Sequence, residues 1–374
     1  MNPLSFVPAD LDWIEVPAYD FMTHAVFKYR SLADFLPYLP YLEWLRYPST
    51  MLLNSRGCTF DCAICGGSRT GYQVVAGRPA AAMRSPSKLV ADGKRIVTFS
   101  RAPIFMVHDP RVGGIPRAER FFELLRSAGI PNELVIEVFF PAGRDFFSMV
   151  RQATRTWSLQ ITIESPDPAI RKINGKFPVP NEILEDTLAA ALDEGCGKLD
   201  LFFMVGLSGQ TAEAARQTAD YCAHLVERFG ADKRLQFYVA PLGPFLDPGS
   251  RAFEDPGLGY HRRYTTLEEH RRALLGPTWR EMLSYDTDWM TRDEIVSVTY
   301  QVGGALNDLK LKAGLIDERT HATVARHFEI ALQTFPRVDA IAGLAEPDRR
   351  AALRRLAGEV NEANTASLVG EDEL

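Results

Sequence analysis

A chain of 374 residues with 46% hydrophobic and 24% charged content is long enough for one large domain with an appendage, or for two domains. No apolar run reaches the roughly 20 residues of a membrane-spanning helix, and the opening Met1-Asn2-Pro3-Leu4 lacks the basic start and apolar stretch of a signal peptide, so the expected compartment is the cytoplasm. A net charge of −6 argues against a broad electropositive footprint for nucleic acid and favours a small-molecule, lipid-like or peptide substrate.

Residues 1–49 hold Trp13, Tyr19, Phe21, Tyr29, Tyr38, Tyr41, Trp44 and Tyr47 without a periodic repeat, and they read as an irregular N-terminal arm. From 50 to 243, short β-branched and aromatic runs alternate with helical patterns, which predicts an α/β fold of βα units around a parallel sheet. Six strands are expected: Thr50 to Asn54, Pro103 to His108, Leu134 to Phe139, Leu159 to Glu164, Leu199 to Val205 and Leu235 to Ala240. Helices are expected over Ser87 to Asp92, Pro116 to Ser127, Arg144 to Thr154, Asn181 to Glu194 and Ala212 to Phe229. Gly195 and Gly230 stand where helix C-termini call for a left-handed residue. Beyond Gly243 the alternation stops, and a helical region is expected over 244–374. It includes a helix begun by the capping box Thr291-Arg-Asp-Glu294 and reaching about Leu311, then helices from Glu318 to Thr334 and from Pro347 to Glu362. Pro244 to Ser250, with Trp279, Tyr285 and Trp289, forms a stretch able to cap a site, although aromatic residues at such positions are more often core; the last ten residues read as frayed.

Three of the five cysteines fall in one loop just past the first strand, Cys58-Thr-Phe-Asp-Cys62-Ala-Ile-Cys65, followed by Gly66-Gly67-Ser68. Thiolates at this spacing converge on a soft metal centre rather than on each other. A four-iron cluster takes four thiolates, so three leave one iron open to chemistry. The alternative is a structural zinc ion with a histidine as fourth ligand; no second CxxC pair or nearby HxxxH accompanies the loop. Cys196 and Cys222 read as packed thiols. In parallel barrels the active site forms at the C-terminal ends of the strands. That rule selects His108 and Asp109, at the end of the second strand, as a catalytic pair in which a carboxylate fixes and tunes an imidazole. Glu137 and Tyr238 are weaker candidates on the third and sixth strands.

The CxxxCxxC loop resembles the signature of the radical S-adenosylmethionine (SAM) superfamily. The resemblance implies a partial (β/α)6 barrel and a 4Fe-4S cluster on Cys58, Cys62 and Cys65 whose open iron chelates SAM. It also implies reductive cleavage of SAM to a 5′-deoxyadenosyl radical that abstracts a hydrogen from substrate, with an electron donor such as flavodoxin or ferredoxin. Ile64 stands where that family usually has an aromatic residue beside the adenine. By the same resemblance Gly66, Gly67 and Ser68 approach the methionine part of SAM. Glu164 and Ser165 lie near the cosubstrate, Arg171 pairs with its carboxylate, and Gly206 and Gly209 line the adenosine. The run Glu164 to Asn174 and the stretches Phe245 to Ser250, Trp289 to Asp293 and Leu306 to Leu309 resemble cobalamin-type members. Residues 1–49 are too few for their cobalamin-binding domain, and no DxHxxG motif occurs. The expectation is therefore hydrogen abstraction from a small biosynthetic substrate leading to rearrangement, dehydrogenation or ring formation. Cobalamin-assisted methyl transfer is the alternative within the family, and a metal-stabilised binding protein without turnover is the alternative outside it.

Overall fold

The computed structural model describes residues 8–15, 28, 50–78, 80–241 and 246–365. The expectations for Tyr19, Phe21, Tyr29, Tyr38, Tyr41, Trp44, Tyr47, Pro244, Phe245 and the last nine residues lie outside them.

In chain order the strands are β1 Thr50–Leu53, β2 Ser55–Arg56, β3 Ala82–Met83, β4 Ile104–Val107, β5 Leu134–Val138, β6 Trp157–Glu164, β7 Leu199–Val205, β8 Leu235–Pro241, β9 Tyr260–Arg262 and β10 Tyr285–Thr287. The helices are α1 Arg69–Ala76, α2 Pro86–Val97, α3 Ile115–Ala128, α4 Arg144–Ala153, α5 Pro168–Ile173, α6 Asn181–Asp193, α7 Ala212–Arg228, α8 Arg251–Glu254, α9 Leu267–Leu274, α10 Trp279–Met282, α11 Arg292–Lys312, α12 Glu318–Ala342 and α13 Asp348–Thr365. Among the described residues, six strands form one sheet in the order β1-β4-β5-β6-β7-β8, parallel as expected, with helices in every crossover. Sequential neighbours joined by helical crossovers are the winding of a partial (β/α) barrel.

The chain divides into two compact units, one of Met1–Thr59, Tyr72–Ile161 and Glu182–Leu199, the other of Phe60–Gly71, Thr162–Asn181 and Asp200–Leu374. In the first, alternate residues of β4 and β5 are buried, Ile104 and Met106 on one strand and Leu134, Ile136 and Val138 on the next. An aromatic chain runs through this unit: Phe121, Phe122, Phe146, Phe147 and Trp157 follow one another with centroids 5.1 to 5.9 Å apart. Helix α2 runs past the expected end at Asp92 because Gly93 lets Ile130 close in; a Cβ there would come within 2.6 Å of Ile130 Cδ1. In the second unit α11 packs against α7 and β8, and Tyr300 on α11 meets Phe328 and Phe335 of α12.

Two departures from expectation have local causes. The region past 246 is not wholly helical, since β9 and β10 pair antiparallel over three residues each, too short for a period-two pattern to register. Helix α12 continues past Thr334 through Pro336 to Ala342; burial of Phe335 and Val338 offsets the backbone hydrogen bond that the proline cannot donate. The capping box holds as read, with Glu294 N–H on Thr291 Oγ1 at 3.3 Å and Thr291 N–H on Glu294 Oε2 at 2.8 Å. Gly195 and Gly230 take φ of 85° and 62°.

Candidate active site

Cys58 and Cys62 are half-buried and Cys65 is exposed, and none is in a disulfide. From Phe60 the loop is a run of turns: Cys65 N–H donates to Cys62 O at 3.3 Å, Ser68 N–H to Cys65 O at 3.1 Å and Arg69 N–H to Phe60 O at 2.8 Å. Asp61 accepts from both the N–H and the hydroxyl of Thr70, at 2.9 and 3.0 Å, and so caps the start of α1. Burial pushes the Asp61 carboxyl up, but the two Thr70 bonds and the Arg251 and Arg69 charges outweigh it and hold it below the usual range. Ser68 is buried and its Oγ accepts from Gly71 N–H at 3.1 Å, so this hydroxyl fixes the turn. Gly67 lies beside the third thiol, its Cβ direction 3.6 Å from Cys65 Sγ.

Two distant segments grip this loop. Asn174 O accepts from Ala63 N–H at 2.8 Å, and Gly175, at φ 73°, lies so close that a Cβ would stand 2.5 Å from Asp61 O. Only glycine serves there, for conformation and space alike. Asn174 is itself held: Nδ2 donates to Ile170 O and Ser208 O, and Oδ1 accepts from Tyr260 Oη, which in turn accepts from Ser208 N–H. The other segment surrounds α8. Ala252 N–H donates to Ala63 O at 2.8 Å, Arg251 stands 3.7 Å from Asp61, and Asp247 Oδ2 accepts from Gly66 N–H at 2.9 Å.

At the end of β4, His108 has φ 72°, and at the end of β6, Glu164 has φ 70°. Left-handed backbone at a non-glycine residue is uncommon and persists where the surroundings enforce it, often at functional positions. His108 does not pair with Asp109 as expected. Its Nδ1 lies 2.8 Å from Ser55 Oγ and its ring meets Phe139 edge-on at 5.7 Å. Burial lowers the imidazole below its ordinary value, and the Ser55 contact offsets this only in part. Asp109 is instead fully buried: Oδ1 takes Arg111 N–H and Nε, Oδ2 takes Arg111 Nη2 and Phe139 N–H. It caps the 3-10 turn Pro110–Gly113, and Arg111 also stacks 3.7 Å over Phe140. A carboxylate saturated by four donors builds the strand-end loop and is not available to tune an imidazole.

Glu164 is buried with Lys176 Nζ 3.5 Å from Oε1; burial pushes its carboxyl up, and Lys176 and Arg171 offset this only partly. Arg171, expected to pair with a bound carboxylate, is fully buried and spends its guanidinium on Ser165 O, Phe177 O, Val179 O and Asn181 Oδ1. It folds the 165–181 loop; the cation beside Glu164 is Lys176. Ser165 is buried too, its Oγ accepting from Asp167 N–H at 3.2 Å. After β7, Gly206 and Gly209 have φ of 92° and 80°, and Gly206 N–H is fixed on Gln210 Oε1 at 2.9 Å. Glu137 is half-buried on β5. Tyr238 stacks on Phe202 at 5.0 Å, and Tyr285, with Trp279 bonded through Nε1 to Tyr300 Oη, belongs to the packed interior rather than to a cover.

The donor set fits an iron-sulfur cluster, since three thiols from one loop are soft donors with no disulfide to consume them. Among the described residues no three His, Cys, Asp or Glu side chains are drawn together as they would be around a single ion. Sequence reading passed over Asp61, Asn174, Gly175, Lys176 and Asp247. The turn signals Asn174-Gly175 and Asp247-Pro248-Gly249 marked two of these places as bends without saying what they touch.

Residues 54–222 match the family model described as the radical SAM superfamily. No curated protein sequence matches the chain. Among solved structures, the chain is similar to the radical SAM methyltransferase TsrM from Kitasatospora setae with cobalamin and a 4Fe-4S cluster bound, at 12% identity over 86% of this chain and 62% of that one, TM-score 0.49. It is also similar to the cobalamin-dependent enzyme OxsB, at 13% over 83% and 45%, TM-score 0.45. A third is the hydrogenase maturase HydG from Carboxydothermus hydrogenoformans, at 14% over 85% and 80%, TM-score 0.42. The chain thus spans less than two thirds of the length of TsrM and about half that of OxsB.

Asp109→Ala is expected to destabilise the fold by about 3–5 kcal/mol in urea unfolding, because it strands the buried Arg111 guanidinium. His108 supplies a pH test. Its folded pKa is depressed, so below the ordinary histidine value of about 6.5 the unfolded chain binds a proton that the folded one refuses, and stability falls. The wild-type protein should lose more stability between about pH 7.5 and 5.5 than His108→Asn, a substitution that suits left-handed backbone. Equal losses would show that the imidazole titrates alike in both states.

Proposed function

We propose that this chain, an enzyme of radical SAM type by the domain at residues 54–222, cleaves SAM reductively and abstracts a hydrogen atom from a small biosynthetic substrate. The observation that carries the reading is the loop with three cysteines, Cys58, Cys62 and Cys65, running directly into Gly66-Gly67 on a parallel α/β sheet. When bound, the cluster supplies the electron that breaks the sulfonium bond of SAM, and its fourth iron supplies the chelation. The protein supplies position and electrostatics.

Cys58, Cys62 and Cys65 are assigned as the three thiolate ligands. Gly66 and Gly67 are assigned to the methionine end of SAM; Gly67 offers backbone without a side chain beside the third thiol, which suits close approach, whereas the side-chain space of Gly66 is taken by Asp247. Glu164, held left-handed at a strand end with a carboxyl raised by burial, is assigned to the cosubstrate together with Lys176, which takes the place expected of Arg171. Gly206 and Gly209 are assigned to the adenosine. His108 is the substrate-side residue. Its ring is kept neutral and Nδ1 is engaged by Ser55, so Nε2 is the atom that meets a substrate proton. No helix among the described residues is long and apolar enough to cross a membrane, and a reducing compartment such as the cytoplasm, with a flavodoxin- or ferredoxin-like donor, suits an oxygen-sensitive centre.

Anaerobic reconstitution is expected to load about four irons and to give 5′-deoxyadenosine on reduction. Cys58→Ala, Cys62→Ala and Cys65→Ala should each lose both while keeping the wild-type circular dichroism spectrum. A colourless zinc protein that unfolds when a cysteine is removed would replace this reading with that of a metal-stabilised binding protein. Deuterium passing from a candidate substrate into 5′-deoxyadenosine would separate hydrogen abstraction from cobalamin-assisted methylation. In that assay His108→Asn should keep iron content and uncoupled cleavage while lowering product by about 100-fold; unchanged product would remove His108 from the site.

A further inference from the structure

The segment following the last sheet strand touches the backbone of the cysteine loop at the residue after the third thiol. Leu246 is buried, with its N–H on Ser284 Oγ at 3.2 Å, and Ser250, fully buried, caps α8 by accepting from Phe253 N–H. Between these anchors Asp247 closes a turn, its carbonyl accepting from Ser250 N–H at 3.0 Å, and its carboxylate points away from that turn onto Gly66. The approach is tight: a Cβ on Gly66 would lie 2.9 Å from Asp247 Cβ and 3.2 Å from Oδ2. Two further bonds, from Ala252 N–H to Ala63 O and from Arg251 to Asp61, hold the same segment along the loop, so the position of Asp247 is fixed.

An amide N–H adjacent to a cluster cysteine would otherwise be available to a cluster sulfur. Here the Gly66 N–H is taken by a carboxylate. The same carboxylate places a negative charge against the residue next to Cys65. Hydrogen bonds to the sulfurs and net local charge are the protein's levers on a cluster's reduction potential, and a nearby anion disfavours adding an electron.

We infer that Asp247 is a positioning residue for the third cluster ligand: its carboxylate holds the Gly66 amide away from the sulfur, and its charge makes the centre harder to reduce. The inference rests on the reading of Cys58, Cys62 and Cys65 as cluster ligands. Asp247→Asn keeps an acceptor for Gly66 N–H and removes only the charge, whereas Asp247→Ala removes both. Full-length wild type and both variants are reconstituted anaerobically, iron is counted, and the midpoint potential is read by electron paramagnetic resonance during a redox titration. Hydrogen exchange at the Gly66 amide is followed in the metal-free proteins.

The expected result is unchanged iron in Asp247→Asn with a potential shifted to more positive values, and faster Gly66 exchange in Asp247→Ala alone. Wild-type iron content with an unshifted potential in Asp247→Asn would overturn the inference and leave the cluster reading standing, as would Gly66 exchange indifferent to Asp247→Ala. Absence of iron from the wild-type protein would overturn both, and iron content alone tells that result from the others. Were Asp247→Ala to unfold, the potential of Asp247→Asn would still decide.

Discussion

An irregular loop does not satisfy its backbone polar groups as a strand or a helix does, so those of the cysteine loop need partners, and segments distant in sequence provide several of them. Ala63 is held through both of its backbone groups, its N–H on Asn174 O and its O receiving Ala252 N–H. Gly66 N–H goes to Asp247, and Thr70 N–H to Asp61. Partners separated from the loop by more than a hundred residues thus define its shape, and each is itself held, Asn174 by three further hydrogen bonds and Asp247 by a turn anchored at Leu246 and Ser250. Preorganisation of this kind fixes the shape of the loop that carries the three cysteines.

The same logic governs the strand ends. β4 and β6 each finish on a non-glycine residue in the left-handed region, and each is followed by an arginine that locks the next turn, Arg111 through Asp109 and Arg171 through four acceptors of its own loop. A buried guanidinium with four hydrogen bonds is rigid as well as charged, and it enforces backbone that would otherwise relax by about 1–3 kcal/mol. Cations in this domain therefore divide by duty. Arg84, paired with Asp92, and Arg111 and Arg171 are structural, and Lys176 stands 3.5 Å from the Glu164 carboxyl.

Charge near the thiols is similarly divided. Asp61 is kept ionised by Thr70, Arg251 and Arg69 and serves the fold, whereas Asp247 faces the loop without a matching guanidinium in its hydrogen bonds. His108 and Glu164 are both driven by burial toward their neutral forms, the imidazole by a lowered and the carboxyl by a raised pKa.

The residues alone determined the parallel sheet, because a buried strand flanked by helices reads as a continuous apolar run: β7 at Leu199–Val205 has the expected bounds, and the other five lie within two residues of theirs. The resemblance carried by the spacing of Cys58, Cys62 and Cys65 was equally legible, since residue type and spacing are one-dimensional facts, and residues 54–222 match the radical SAM family model. The paired strands β2–β3 and β9–β10 left no trace, as two or three residues cannot display a period. Above all, the duty of a polar residue depends on which distant backbone groups surround it. Position at a strand end marked Asp109 as the partner of His108, and family resemblance gave Arg171 a bound carboxylate; only the tertiary structure gave their hydrogen bonds to Arg111 and to the 165–181 loop. Asp247 stands 181 residues from Gly66, and no local pattern encodes a contact that folding alone brings about.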